Sequence, residues 1–182
     1  MSVPVMSPAE TRQHATFTAL LWALSYPGRP QRLPAGGRAA FAAIAEALLD
    51  LETGAFSPDA EFAALIARSG ARLLPPQRAP YHFYPAPEAD SLESIAAAPV
   101  GSYTEPELGA TLVLSCHLGG PATLTLRGPG IAGSVRLRVG GLPEDLWLLR
   151  AERTRFPLGW DLLLIDGAEV VGLPRSTAVE VG

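Results

Sequence analysis

Apolar residues recur at helical spacing through the first part of the chain and at strand spacing through the last part. Ser7-Pro8-Ala9-Glu10 reads as a capping box with proline at the first helical position. Phe17, Leu20, Leu21 and Leu24 follow at helical spacing and predict one apolar face. Tyr26-Pro27-Gly28 ends that helix. A second helix is predicted around Phe41, Ile44, Ala45, Leu48 and Leu49, stopping near Thr53-Gly54. A third starts at Ser57-Pro58-Asp59, packs Phe62, Leu65 and Ile66, and stops at Gly70.

The middle is rich in proline: Pro75, Pro76, Pro80, Pro85 and Pro87. It reads as loops around an edge strand at Tyr81-His82-Phe83-Tyr84, since four bulky residues in a row favour burial and proline favours sheet edges. Asp90 with Glu93 resembles a second capping box, for a short helix ending before Pro99. From residue 110 the period becomes two. Ala110 to Cys116 predicts a mostly apolar strand. Thr123 to Arg127 and Ser134 to Val139 alternate and bracket a glycine-rich turn. Pro143-Glu144-Asp145 predicts a helix start, with Arg150, Arg153 and Arg155 toward its end, where the helix dipole favours cations. Asp161 to Asp166 and Glu169 to Leu173 predict a hairpin around Asp166-Gly167. Helices first and strands later suggest α+β.

Length and composition narrow the class. The 182 residues are expected to form one domain, residues 1–182, around a real core. A net charge of −4 argues against a nucleic-acid surface. No run of apolar residues is long enough to predict a transmembrane helix, so no membrane partner is expected. The start of the chain lacks a signal-peptide pattern, and its one cysteine cannot form an internal disulfide. A cytoplasmic location is the expectation. All 14 basic side chains are arginine. Without lysine there is no Schiff base with pyridoxal phosphate and no P-loop.

Several motifs invite a chemical reading. Gly128-Pro-Gly130-Ile-Ala-Gly133 matches the dinucleotide fingerprint, but the residues after it alternate as a strand, so no helix N-terminus is available for a pyrophosphate. A hairpin turn is predicted instead, and no cofactor. Cys116 and His117 are adjacent on a strand and point to opposite faces, so a buried structural thiol is expected. His14, His82 and His117 fall in no metal-ligand spacing. His14 reads as a helix-face or subunit-contact residue. Trp147 and Trp160 are candidates to anchor a subunit contact, and core burial is expected ahead of that for each.

The arginines carry the remaining possibility. Arg127, Arg136 and Arg138 should share one outward face while Leu124, Leu126, Val135, Leu137 and Val139 turn inward. Arginine forks suit phosphate, phosphonate or carboxylate groups. The alternative is a solvated face paired with acids. Arg175, in Leu173-Pro-Arg-Ser-Thr177, is ambiguous between an anion contact, a partner contact and a local ion pair. No catalytic constellation is predicted.

Three blocks of residues resemble the PhnH family, the H subunit of the bacterial carbon–phosphorus lyase system. They are Gln13-His14 with Phe17, Leu20, Leu21 and Ala23-Leu-Ser-Tyr-Pro-Gly28; Pro106-Glu-Leu-Gly-Ala-Thr-Leu-Val-Leu114 with Leu124-Thr-Leu-Arg-Gly-Pro-Gly-Ile131; and Phe156-Pro-Leu-Gly-Trp-Asp161 with Leu173-Pro-Arg-Ser-Thr177 and Val179-Glu-Val181. The proline-rich middle matches poorly. The resemblance implies a single-domain three-layer α/β sandwich with a mixed sheet, similar to pyridoxal-phosphate transferases without their cofactor site. It also implies partner subunits G, I and L, which together join an alkylphosphonate to the ribose of ATP, displacing adenine and giving ribose 1-phosphonate 5-triphosphate. Subunit J, a further implied partner, then cleaves the carbon–phosphorus bond. A structural or assisting role and a homodimer in isolation are implied for this chain.

Overall fold

A computed structural model describes residues 6–182. The first helix, α1 (Pro8–Ser25), opens with the capping box as predicted: the Glu10 backbone N–H donates to the Ser7 hydroxyl at 3.3 Å, and the Ser7 N–H donates to the Glu10 carboxylate at 2.7 Å. Next come β1 (Gln31–Arg32), α2 (Arg38–Leu48), β2 (Gly54–Phe56) and α3 (Ala60–Ser69). Asp59 caps α3 by accepting from the Phe62 N–H, and Gly70 ends it at φ +92°, a backbone region that glycine enters without a Cβ penalty. The chain continues through β3 (Arg72–Leu73), β4 (Tyr81–Tyr84), α4 (Ser91–Ala96), a short 3-10 turn at Pro106–Leu108 and β5 (Thr111–Ser115). Then follow β6 (His117–Arg127), β7 (Val135–Gly140), α5 (Leu146–Arg153), β8 (Asp161–Asp166), β9 (Glu169–Leu173) and β10 (Ala178–Val181).

Seven strands form one mixed sheet in the order β1-β9-β8-β5-β4-β2-β3. The run from β8 to β3 is parallel, and β9 and β1 are antiparallel additions. The strands β5 and β8 are buried almost throughout, as a sheet covered on both faces requires. On one face lie α1, α2 and α3, with Leu20, Phe41, Ile44, Phe62 and Ile66 packed on Phe83, Val113, Leu163 and Ile165. On the other face lie α4, α5 and a second sheet of order β10-β6-β7. Leu124, Leu126, Leu137 and Val139 of that small sheet meet Leu112, Leu114, Leu162 and Leu164 of the large one. This is the three-layer α/β arrangement, and it replaces the α+β suggestion drawn from element order. One outer layer is itself partly a sheet.

Several local expectations change. Strand β4 is no edge: it lies between β5 and β2, with His82, Phe83 and Tyr84 buried. Its flanking prolines bound it rather than interrupt it. The second capping box does not form, because Asp90 makes no side-chain cap bond to α4. The helix α5 ends at Arg153, so Arg155 lies beyond it, in a bridge to Leu158. The β8–β9 loop is Gly167-Ala168, one residue later than expected, with Gly167 at φ +56°. Finally, the apolar residues of α1 split between two faces. Leu20 is buried while Phe17 and Leu21 are about half exposed.

One contact between α1 and the sheet is made without side chains. A Cβ at Gly172 of β9 would lie 2.6 Å from the backbone carbonyl of Ala23, so helix and strand touch through bare backbone.

Candidate functional site

The arginine face is built by strand alternation. In the β6–β7 ladder Arg136 stands opposite Thr125 and Arg138 opposite Thr123, while Leu137 faces Leu124 in the core. Arg127, Arg136 and Arg138 are all exposed, and Leu124, Leu126, Leu137 and Val139 are buried, with Val135 packed against them. The sheet thus brings these three residues to one face. Their partners differ. The Arg127 Nη1 lies 2.8 Å from the Glu180 carboxylate on β10. The Arg138 Nε donates to the Gly120 carbonyl at 3.1 Å. Arg136 makes no ion pair among the described residues.

Arg175 is placed elsewhere. It is nearly enclosed and grips Asp161: Nη2 reaches Oδ2 at 2.7 Å, and the Arg175 backbone N–H donates to Oδ1 at 2.8 Å. Its guanidinium also donates to the carbonyls of Pro106 and Gly109. All of this is local structure. Arg150 is similar. It is 4% exposed and donates to the carbonyls of Pro174 at 3.0 Å and Thr177 at 3.2 Å. Burial lowers its pKa to about 10, partly opposed by the Asp161 charge. A predicted helix-end cation is therefore a tie between α5 and the β9–β10 turn.

Cys116 lies just past β5 and is 2% exposed. Burial first, then the nearby Asp166 charge, pushes its thiol pKa up to about 12. A thiol held neutral and enclosed in this way is a poor nucleophile at neutral pH. His117 starts β6 and is exposed, with its ring over Gly141.

The sequence reading missed a buried polar chain. His82 and Tyr84 are two apart on β4 and share a face. The His82 Nδ1 lies 3.0 Å from the Tyr84 hydroxyl, which lies 3.1 Å from the Ser94 hydroxyl on α4. The Ser94 hydroxyl donates to the Ser91 carbonyl at 2.9 Å. Burial lowers the His82 pKa to about 4 and raises that of Tyr84. No well-aligned hydrogen bond reaches the His82 Nε2, although the carbonyls of Ala79 and Pro76 approach and offset part of the shift. Ser94 borders a cavity of about 260 Å³ lined also by Gln77, Asp90, Ser91 and Glu93. Tyr84 separates the serine from the imidazole, so the pair cannot act as nucleophile and base. The signal was available as the i, i+2 spacing of His82 and Tyr84, two polar-tipped rings on one face of a strand read as buried.

Among the described residues no group of three or more His, Cys, Asp or Glu side chains could hold a metal ion. Among the described residues, likewise, no helix is long and apolar enough to cross a membrane.

The glycine-rich loop has a structural use. It joins β6 to β7, and Gly130 lies at φ +80° against the Ser25 carbonyl and Pro27 at the end of α1, where a Cβ has no room. A model of the bacterial phosphonate metabolism protein PhnH matches residues 5–180. The chain belongs to the PhnH family. A putative C-P lyase subunit protein, HtxG, from Stutzerimonas stutzeri is 34% identical over 174 residues, covering 93% of this chain and 87% of that one. The PhnH subunit of alpha-D-ribose 1-methylphosphonate 5-triphosphate synthase from Rhizobium meliloti (strain 1021) is 39% identical over 85 residues, covering 44% of this chain and 42% of its own.

The three blocks that resemble PhnH meet one another in space. Ser25 and Pro27 touch Gly130, and Gly28 lies on Leu126. Arg175 of the last block, paired with Asp161, donates to the carbonyls of Pro106 and Gly109 of the second. Trp160 is fully buried and donates to the Ala98 carbonyl at 3.1 Å. The PhnH-like residues thus form a framework of mutual contacts.

Proposed function

We propose that this chain is an assembly subunit of a carbon–phosphorus lyase system, assisting subunits G, I and L in forming ribose 1-phosphonate 5-triphosphate from ATP and an alkylphosphonate. It works in the cytoplasm, beside subunit J, and carries no cofactor or catalytic group of its own. The names of its relatives, a C-P lyase subunit and a triphosphate synthase subunit, supply the system.

The observation that carries the assembly role is the outer side of α1. Phe17, Leu21, Trp22 and Tyr26 are 53%, 52%, 45% and 40% exposed, and Trp22 stacks on Tyr26 at 5.4 Å. No charged residue interrupts the helix from Gln13 to Ser25. A helix that is apolar all round is suited to burial on both sides, and here one side is bare. Exposed aromatics of this kind form interface hot spots. The isolated chain covers this face by pairing with a second copy, and the complex covers it with another subunit. Supporting the non-catalytic part, Cys116, His82, Arg150 and Arg175 are all enclosed and engaged in holding the fold.

The test is reconstitution. The purified chain incubated with ATP and methylphosphonate should turn over neither, and adding it to subunits G, I and L should restore triphosphate formation. Turnover by the isolated chain overturns the proposal.

A second reading is favoured by Arg136, which has no ion pair among the described residues. The face of Arg127, Arg136 and Arg138 would then hold an anion such as ATP or a phosphonate. Calorimetric titration with ATP should show binding that is lost when all three are replaced. Absence of heat, with assembly intact, removes this reading.

A further inference from the structure

The groove between α4 and α5 has a different character from the α1 face. Leu148 and Leu149 of α5 and Leu92 and Ala96 of α4 form its apolar floor, in a cavity of about 420 Å³. Leu148 is 62% exposed although most apolar side chains of α5 turn inward. The spacing of Asp145, Leu148, Leu149 and Glu152 places all four on one side of the helix. The rim is acidic: Glu93 on α4, and Asp145 and Glu152 at either end of the α5 stretch. None of the three makes an ion pair among the described residues. No arginine lines the groove, and Arg150 on the same helix points the other way, to Pro174 and Thr177. The neighbouring cavity adds Asp90 and shares Glu93.

An apolar strip between two helices fits the apolar face of a third, read as anchors at i, i+3 and i+4. Three carboxylates without ion pairs among the described residues give that strip a negative rim, and cations on the flanks of an incoming helix match it and speed the encounter. The same carboxylates disfavour nucleic acid and an acidic surface. We infer that the α4–α5 groove docks an amphipathic helical segment of a partner protein, with leucine-like anchors on the floor and arginine or lysine beside Glu93, Asp145 and Glu152. This inference stands apart from the phosphonate reading, because it uses only the groove's shape and charge.

The full chain is titrated by calorimetry with a synthetic helical peptide of about 15 residues carrying leucines at i, i+4 and i+7 between lysines. A twin peptide has glutamates in place of the lysines. The lysine peptide should bind, more weakly at high salt, and the twin should not. Leu148→Ser, and separately the triple change Glu93→Gln, Asp145→Asn and Glu152→Gln, should each weaken binding by roughly tenfold or more. Leu148 is largely exposed, so its variant should keep the parent melting temperature. Replacing Glu105 and Glu107 by glutamine, outside the groove, should change nothing. Equal binding of the twin, no binding of either peptide, or full affinity in Leu148→Ser overturns the inference. So does a dimer that Leu148→Ser alone dissolves, which would assign the groove to a second copy.

Discussion

Arg175 and Asp161 hold each other through both side chain and backbone: the guanidinium lies 2.7 Å from one carboxylate oxygen, and the Arg175 N–H donates to the other at 2.8 Å. The same guanidinium reaches the carbonyls of Pro106 and Gly109. Breaking a mostly buried pair leaves the carboxylate and two carbonyls short of partners. Arg175→Ala should therefore cost about 2–4 kcal/mol, measured by urea unfolding. Arg136→Ala, on the exposed sheet face, should stay within about 0.5 kcal/mol. Equal effects of the two would mean that the Asp161 pair adds nothing to the fold.

His82 makes stability depend on pH. Burial lowers its folded pKa to about 4, from an unfolded value near 6.5. Above pH 6.5 both states are neutral and the contribution is complete. Between pH 6.5 and 4 the unfolded chain takes a proton that the folded one refuses, so stability falls as pH falls. The loss should be about 3 kcal/mol over that window. Unfolding midpoints compared at pH 7.5 and 4.5 should show a steeper drop for the parent than for His82→Gln.

Cys116 titrates on the alkaline side. Its folded pKa of about 12 exceeds the reference value of 9.0. Below pH 9 the thiol is neutral in both states. As pH rises from 9 toward 12 the unfolded state ionises first, and stability should fall. At pH 8 the folded chain should resist iodoacetamide, with labelling appearing only in denaturant. On the proposed assembly role, Cys116→Ala should leave reconstituted activity unchanged.

The outer side of α1 predicts an assembly phenotype without a folding one. Phe17→Ser with Leu21→Ser should convert an isolated dimer to monomer by light scattering, and weaken co-purification with the other subunits. Its melting temperature at low protein concentration should match the parent, because both side chains are about half exposed. A parent that is already monomeric, with undiminished complex formation in the variant, would remove α1 from the interface.

Much of the framework was legible in the residues. The capping box of α1, the alternation of β6 and β7 and the turn at Gly167 each depend on neighbours in sequence, where local physics decides. The interior position of β4 was not, because prolines on both sides mimic an edge signal while its partners β2 and β5 come from distant segments. The full length of β6 was hidden by Gly119-Gly120-Pro121, where the ladder shifts register between Leu118 and Ala122. Helical spacing gave α1 but not its bare side, since apolar residues occur all round it. Arginine identity alone could not separate Arg175 and Arg150, which hold carbonyls inside, from Arg136, which faces solvent. That distinction needs the turn after β9 to come back over Asp161 and α5.

The bare-backbone contact between Gly172 and Ala23 has a mechanical consequence. No side chain cushions α1 from the central sheet there, so the helix has little slack to slide or tilt. A neighbour that grips Phe17 and Trp22 grips the whole sheet with them. The subunit would then enter its complex as a rigid wedge, and its companions, rather than this chain, would have to do the bending.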